Sequence, residues 1–157
     1  MKAVDVSEAE PRMKAGLFDI KNGTVVWLPG SAGVETLQIV ASTKTSKDRR
    51  KLRAVDLHTG DVFYHDKWAG LRAQKGFFGV EGSIFSVGMP SVNVQAETIA
   101  PGGCFIDHWG VHLICWHSWL KPGGACRSVN VFSGVTGWVP RKRKVTPVHA
   151  YFRTTGG

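Results

Sequence analysis

A run of apolar, aromatic and β-branched residues at 105–116 (FIDHWGVHLICW) lies between two Pro-Gly-Gly sequences, at 101–103 and 122–124. Turn residues on both sides of such a run predict a buried strand or a tight hairpin. The wider stretch 99–126 also holds all three cysteines and three of the six histidines. If the chain carries out chemistry, we expect the reacting side chains in this stretch.

Short strand-like runs recur along the rest of the chain, separated by turns drawn from 19 glycines and 7 prolines. This spacing predicts a mainly β (α+β) protein with a single-domain antiparallel β-sheet or barrel core. One or two short helices are expected, the best of them at 66–75, where Trp68, Leu71 and Arg72 share one side. Residues 1–15 are expected to be loose and residues 16–157 to form one globular domain. The strand-like runs are 17–20, 24–28, 34–41, 52–57, 61–65, 77–87, 91–99, 128–132, 137–139 and 145–152.

Composition excludes several classes of protein. An apolar share of 43% is typical of a globular chain rather than a disordered one. No apolar run approaches the ~20 residues of a membrane-spanning helix, and the N-terminal residues lack the apolar centre of a signal peptide. Three cysteines, an odd number, do not predict a disulfide framework and favour reduced thiols in the cytoplasm.

The net charge of +8 is concentrated in two clusters. Such clusters suit RNA or another polyanion, although a solvated surface loop is the simpler alternative for either one alone. Prolines on both sides of the second cluster predict an exposed, extended connector. The candidate nucleic-acid-binding residues are Lys44, Lys47, Arg49, Arg50, Lys51 and Arg53 in the first cluster and Arg141, Lys142, Arg143 and Lys144 in the second.

A thiol site is the main catalytic possibility. Cys126 follows Gly123-Gly124-Ala125, and a helix beginning there would lower the pKa of its thiol. His108 is the candidate base, oriented by His117 or His112, because a thiolate nucleophile needs a base and a group that orients it. In a continuous strand, His108 and His112 share one face, with Asp107 on the other. Histidines bonded to the backbone are the alternative, and zinc ligation is a weaker one because the cysteine and histidine spacings do not match a structural site.

The sequence His108-Trp109-Gly110-Val111, a few residues after Pro101-Gly102-Gly103, resembles the H-box of the lecithin retinol acyltransferase-like proteins, which are NlpC-related. The same H-box occurs in the H-box/NC class of picornavirus 2A proteins. The resemblance implies a permuted papain-like fold, with His108 as the base, His117 as the second polar residue and Cys126 as the nucleophile. In place of the family's Asn-Cys motif, however, this chain has Ala125-Cys126-Arg127.

Two functions follow. The first is a viral non-structural 2A-like protein of the host cytoplasm that binds RNA, or host or viral proteins, through the basic clusters and keeps a degenerate thiol site. The second is an active cysteine acyltransferase or phospholipase-like hydrolase that uses Cys126 and His108. The altered cysteine motif favours binding over catalysis. Neither function calls for a cofactor or a metal.

Overall fold

The computed structural model describes residues 1–4, 21–41, 52–65, 72–81, 92–116 and 125–155. In these ranges the chain forms thirteen strands and one 3₁₀ turn, Ala96–Thr98. The strands are β1 (Lys2–Val4), β2 (Val25–Pro29), β3 (Glu35–Val40), β4 (Leu52–Asp56), β5 (Val62–His65), β6 (Arg72–Ala73), β7 (Gly76–Glu81), β8 (Val94–Gln95), β9 (Cys104–Asp107), β10 (Gly110–Ile114), β11 (Ala125–Asn130), β12 (Thr136–Pro140) and β13 (Lys144–Thr154).

The described strands form two sheets and no closed barrel, which confirms the mainly β prediction. The larger sheet has the order β1-β13-β9-β10-β11-β12, with β7 and β8 also paired to β13. The smaller sheet has the order β5-β4-β3-β2-β6. No helix in the described ranges is long and apolar enough to cross a membrane.

The two sheets share one hydrophobic core. Val25, Ile39 and Val55 of the smaller sheet pack in the same cluster as Leu113 and Val129 of the larger one. On the other face of the smaller sheet, the alternate side chains Val26, Leu28, Val40 and Ala54 are buried as well. A second, smaller cluster lies on the opposite face of the larger sheet and is built from Ala96, Phe105, Ile114, Val139 and Val145.

Strand β13 connects the parts of the larger sheet. Its first half pairs antiparallel with β8 and β9, and its second half pairs with β7. Residues Lys2–Val4, which were expected to be loose, instead form β1 and pair parallel with β13. The eleven residues of β13 thus hold four other strands in register.

The first Pro-Gly-Gly sequence joins the two sheets by backbone contact. Gly102 has φ +88° and donates its N–H to the carbonyl of Ile114 at 2.9 Å. A Cβ atom at this position would overlap the carbonyl oxygen of His58, in the β4–β5 turn. On the other side of the same turn, Trp116 N–H donates to the carbonyl of Gly60 at 2.6 Å. Only glycine permits this approach and this backbone conformation together.

Two local predictions differ from the structure. The expected helix at 66–75 lies mostly outside the described residues, and its described part, Arg72–Ala73, is a strand paired with Val26–Trp27. The helical pattern covers too few residues for helix propensity to outweigh pairing with β2. The chain at Cys126 is also a strand, β11, and not the start of a helix.

We expect Gly102→Ala to lower the free energy of unfolding by roughly 2 kcal/mol or more, because it adds positive-φ strain to a backbone overlap. Gly33→Ala separates the two causes, since Gly33 has φ +75° but open space around it. Gly137→Ala, which has neither feature, should change stability by less than about 0.5 kcal/mol. Urea unfolding measures all three, and equal losses for Gly102→Ala and Gly33→Ala would contradict the contact described above.

Candidate functional site

The hairpin of β9 and β10 turns through His108 and Trp109, and this turn changes which side chains share a face. Gly110 pairs with Asp107 and His112 pairs with Phe105. Asp107 and His112 therefore lie on one face, although a continuous strand would put them on opposite faces. This face, turned away from the shared core, is called the outer face below. It also carries Ile114 of β10 and, in register beside it, Ser128 of β11.

Asp107 and His112 form a hydrogen-bonded pair on the outer face. His112 Nε2 lies 2.8 Å from Asp107 Oδ1, and both side chains are largely buried. The imidazole stacks on Phe105 with ring centroids 4.8 Å apart and planes 14° apart. Arg143 Nη2 lies 3.9 Å from Asp107 Oδ2. The pair is fixed from both sides, by an aromatic ring below the imidazole and a cation beside the carboxylate.

The pKa of the Asp107 carboxyl lies below its usual value. Burial alone would raise this pKa, but the hydrogen bonds from His112 and from the backbone N–H of Trp109 outweigh it by stabilising the ionised form. The Trp109 N–H donates to Asp107 Oδ1 at 2.8 Å. The carboxylate thus also closes the hairpin turn, as aspartate side chains commonly do at turns.

The turn presents Trp109 to solvent in a fixed position. Its indole is 72% exposed and stands 4.7 Å from the His108 ring, centroid to centroid. Asn130 Nδ2 donates to the carbonyl of Trp109 at 3.0 Å, while Asn130 Oδ1 accepts the N–H of Phe132 at 2.9 Å. The Trp109 carbonyl is therefore held from β11, and its N–H is held by Asp107 of β9. A large exposed aromatic on a braced turn is typical of a binding surface.

The second basic cluster forms the turn between β12 and β13. Arg143 N–H donates to the carbonyl of Pro140 at 3.0 Å, so the chain reverses here instead of running as the extended connector that was expected. The carbonyls of Arg141 and Arg143 accept the N–H groups of Glu97 and Ala96, both at 2.9 Å. Lys142, Arg143 and Lys144 have exposed side chains. We call residues 141–144 the basic turn.

Two shallow grooves lie on the outer face, each with an exposed tryptophan, an arginine of the basic turn and a carboxylate. The histidine groove, of about 340 Å³, is lined by Asp107, Trp109, His112, Ser128, Asn130 and Arg143, among others. The cysteine groove, of about 310 Å³, is lined by Glu97, Ile99, Ile114, Trp116, Cys126 and Arg141, among others. Trp116 is 57% exposed. The basic turn supplies a cation to both grooves.

The predicted thiol site is not brought together in the described residues. Ser128 of β11 pairs with Ile114 of β10. Along β11, Cys126 lies two residues from Ser128, on the side away from the hairpin turn. Along β10, Gly110 lies four residues from Ile114, next to the hairpin turn. Six residue steps therefore separate Cys126 from the turn that carries His108, which is about 20 Å at ~3.3 Å per residue. His117 lies outside the described residues.

The cysteines are all free thiols. Burial raises the pKa of Cys126, with Arg141 opposing and Glu97 reinforcing the shift. Burial likewise raises the pKa of Cys104 to about 11 and that of Cys115 to about 12. Thiols with raised pKa values are protonated near neutral pH and are weak nucleophiles. No set of three or more His, Cys, Asp or Glu in the described ranges could hold a metal ion.

Of the first basic cluster, only Arg53 belongs to the described residues. It lies on β4 with its guanidinium 5.4 Å from the centre of the Tyr64 ring. Its Nε and Nη1 atoms are buried and have no hydrogen-bond partner among the described residues. Arg53 is thus partly packed within the protein and does not lie on the outer face. Lys44, Lys47, Arg49, Arg50 and Lys51 lie outside the described ranges.

Two other grooves are larger. One, of about 650 Å³, is lined by Val25, Phe77, Phe78 and Phe152 among others, and its lining within the described ranges has no histidine, cysteine or carboxylate. The other, of about 520 Å³, gathers His58, Glu81, Cys104 and His149. It brings together histidines that the sequence did not single out, but the raised pKa of Cys104 makes its thiol a weak nucleophile.

Comparisons with protein-family models, with curated proteins and with solved structures each found no match. The outer face therefore has to be interpreted from its own geometry. Sequence analysis named His112, Cys126 and the basic turn but missed Asp107, Trp109 and Trp116 as members of the site. The signal was present in the pair Asp107 and His112, which a two-residue hairpin turn would place on one face.

We expect Asp107→Asn to lower the free energy of unfolding at about pH 7 by about 1 kcal/mol, because it replaces charge-assisted hydrogen bonds with neutral ones. The carboxyl has a lower pKa in the folded state than its unfolded value of about 3.9. Its contribution is therefore present above that value and is lost as the pH falls through the folded pKa. Urea unfolding at about pH 7 and about pH 3 should show the difference from the wild type shrinking at the lower pH.

Asp61→Asn is the matched control for this change, because the Asp61 carboxylate makes no side-chain hydrogen bond with the described residues. It should have little effect at either pH. An Asp107→Asn difference of the same size at both pH values would mean that the ionised carboxylate does not contribute to stability.

Proposed function

We propose that this protein binds RNA through the outer face of its larger sheet and is not an active thiol enzyme. The observation that carries the proposal is the place of the basic turn. Its cations border two grooves, and an exposed tryptophan lies in each. Basic side chains attract the phosphate backbone, and exposed aromatic rings stack on bases.

Electrostatics favours this face over the rest of the described surface. Four cations follow one another at residues 141–144, in a chain whose net charge is +8. The carboxylates nearby are those of Asp107 and Glu97, one in each groove, and Asp107 is already engaged with His112 and Arg143. A surplus of positive charge at an exposed turn raises both the rate and the affinity of association with a polyanion.

Binding fits the geometry better than catalysis does. About 20 Å of strand separates Cys126 from His108, and the thiol pKa is raised rather than lowered. A nucleophile needs its base within hydrogen-bonding reach and a pKa that permits ionisation. The residues of the H-box-like sequence serve here as the hairpin turn and as strand β10.

We also propose a relationship to the H-box picornavirus 2A proteins, with this chain as a 2A-like non-structural protein that acts in the host cytoplasm. The support is the sequence His108-Trp109-Gly110-Val111 after Pro101-Gly102-Gly103, together with the basic charge. A permuted papain-like ancestry and binding to host or viral proteins belong to the same proposal. Cross-linking RNA to the protein in cells, followed by mapping of the linked peptides, would test where such a protein acts.

The binding constant for RNA should fall steeply with salt, because cations of the protein displace counterions from the phosphates. For a single strand, the slope of log K against log salt is about −0.7 per phosphate contact. We therefore expect Arg141→Ala/Arg143→Ala, which removes the cation that lines each groove, to make the slope less negative by about 1.4. Fluorescence anisotropy with a labelled oligonucleotide, over a range of salt concentrations, gives this value.

The control is Lys2→Ala/Lys21→Ala, which removes the same charge from exposed lysines away from the basic turn. Lys2 pairs with Tyr151, near the opposite end of β13 from Lys144. This variant should keep most of the wild-type slope. Equal losses in the two double variants would show that net charge, and not the basic turn, governs binding, and absence of RNA binding would refute the proposed function.

A further inference from the structure

We propose that the two grooves bind one strand of unpaired RNA together, with a base stacked on Trp109 in the histidine groove and another on Trp116 in the cysteine groove. The inference rests on the proposed function and specifies its ligand. Its basis is that the two grooves contain the same three kinds of side chain, at opposite ends of the same strand.

The two tryptophans are placed to act on one strand of RNA. Seven residue steps separate them, from the hairpin turn before β10 to two residues beyond its end, which is at most about 23 Å at ~3.3 Å per residue. Trp116 continues the alternation of His112 and Ile114, so it belongs to the outer face, and Trp109 leads into the same face from the turn. An RNA strand lying along β10 would contact one tryptophan ring at each end of β10.

Each ring shares its groove with an arginine of the basic turn. Arg143 borders the histidine groove and Arg141 borders the cysteine groove, two residues apart in one turn. A phosphate backbone crossing from one groove to the other would pass this turn. A ring and a cation in each groove match a surface that follows the phosphate backbone while bases stack at intervals.

The exposed rings favour unpaired RNA over a duplex. In a duplex, base faces are already stacked on their neighbours, and the edges of an A-form helix offer a shape rather than a ring surface. The two grooves are shallow, so a base that stacks there keeps its edge partly open to solvent. The Glu97 carboxylate in the cysteine groove is an acceptor for N–H groups on such an edge.

The test measures binding of single-stranded RNA of about eight nucleotides and of about three nucleotides, and of a duplex, by fluorescence anisotropy. Trp109→Ala and Trp116→Ala should each weaken binding of the longer strand by about tenfold or more, because each removes one stacking contact. Trp109→Phe should restore most of the loss, because it restores a ring. Phe77→Ala, which removes an exposed aromatic on β7, is the matched control and should change binding by less than about twofold.

Binding of the three-nucleotide RNA distinguishes two grooves that act together from a single groove. This short strand cannot span both, so it should lose only about twofold on either single substitution and nearly all binding in the double variant. Near-ultraviolet circular dichroism and thermal unfolding establish that each variant is folded.

The possible failures are distinct. Normal salt-dependent RNA binding that is unaffected by the tryptophan substitutions, or a duplex bound as tightly as the single strand, would overturn this inference and leave the proposed function standing. A short strand that loses all binding on one substitution would also overturn it, because a single groove would then suffice. Failure of the wild-type protein to bind any RNA would refute the proposed function itself.

Discussion

The hairpin turn at His108 and Trp109 fixes the arrangement of the larger sheet's outer face. Two residues in the turn put Asp107 and His112 on the same side of the hairpin, and the carboxylate then bonds both the imidazole and the turn backbone. A turn one residue longer would move the side chains of one strand to the other face, since side chains alternate with a period of two. The core residues Val111 and Leu113 would then face solvent. The same turn length is therefore required both to bury those residues and to form the polar pair.

A polar pair on a sheet surface can serve binding or catalysis, and its neighbours decide between them. Here the neighbours are a stacked phenylalanine, an exposed tryptophan and an arginine from the basic turn. None of these is a nucleophile, and the half-buried Cys126 thiol lies at the far end of β11, with its pKa raised by burial. The same surface offers stacking area and positive charge, which are the two components of sequence-tolerant RNA binding. The balance of chemistry on this face therefore favours recognition.

Most of the fold could be predicted from local pattern, because turn residues and alternation determine strands directly. The runs at 34–41, 52–57 and 61–65 became strands β3, β4 and β5 within a few residues of their expected bounds. The predictions were wrong where the structure depends on which strands pair with each other. Arg72–Ala73 looked helical in isolation and is a strand because β2 offers it hydrogen bonds. The helix start that would have lowered the pKa of the Cys126 thiol does not form, because Cys126 lies in β11. The site could be predicted only in part for the same reason. Its residue types could be recognised from the sequence, but their proximity in the fold depends on turn length and register.

The pairing of β13 with four other strands has a consequence for how the protein reaches this structure. β1 and β13 are nearly a whole chain length apart in sequence, yet they are neighbours in the larger sheet. Contacts of such high sequence separation close large loops before they gain any stabilisation, so we expect slow folding. While the protein is being synthesised, β7, β8 and β9 emerge from the ribosome before the strand that they pair with. Their open edges would remain available to chaperones, or to strands of other chains, until β13 arrives.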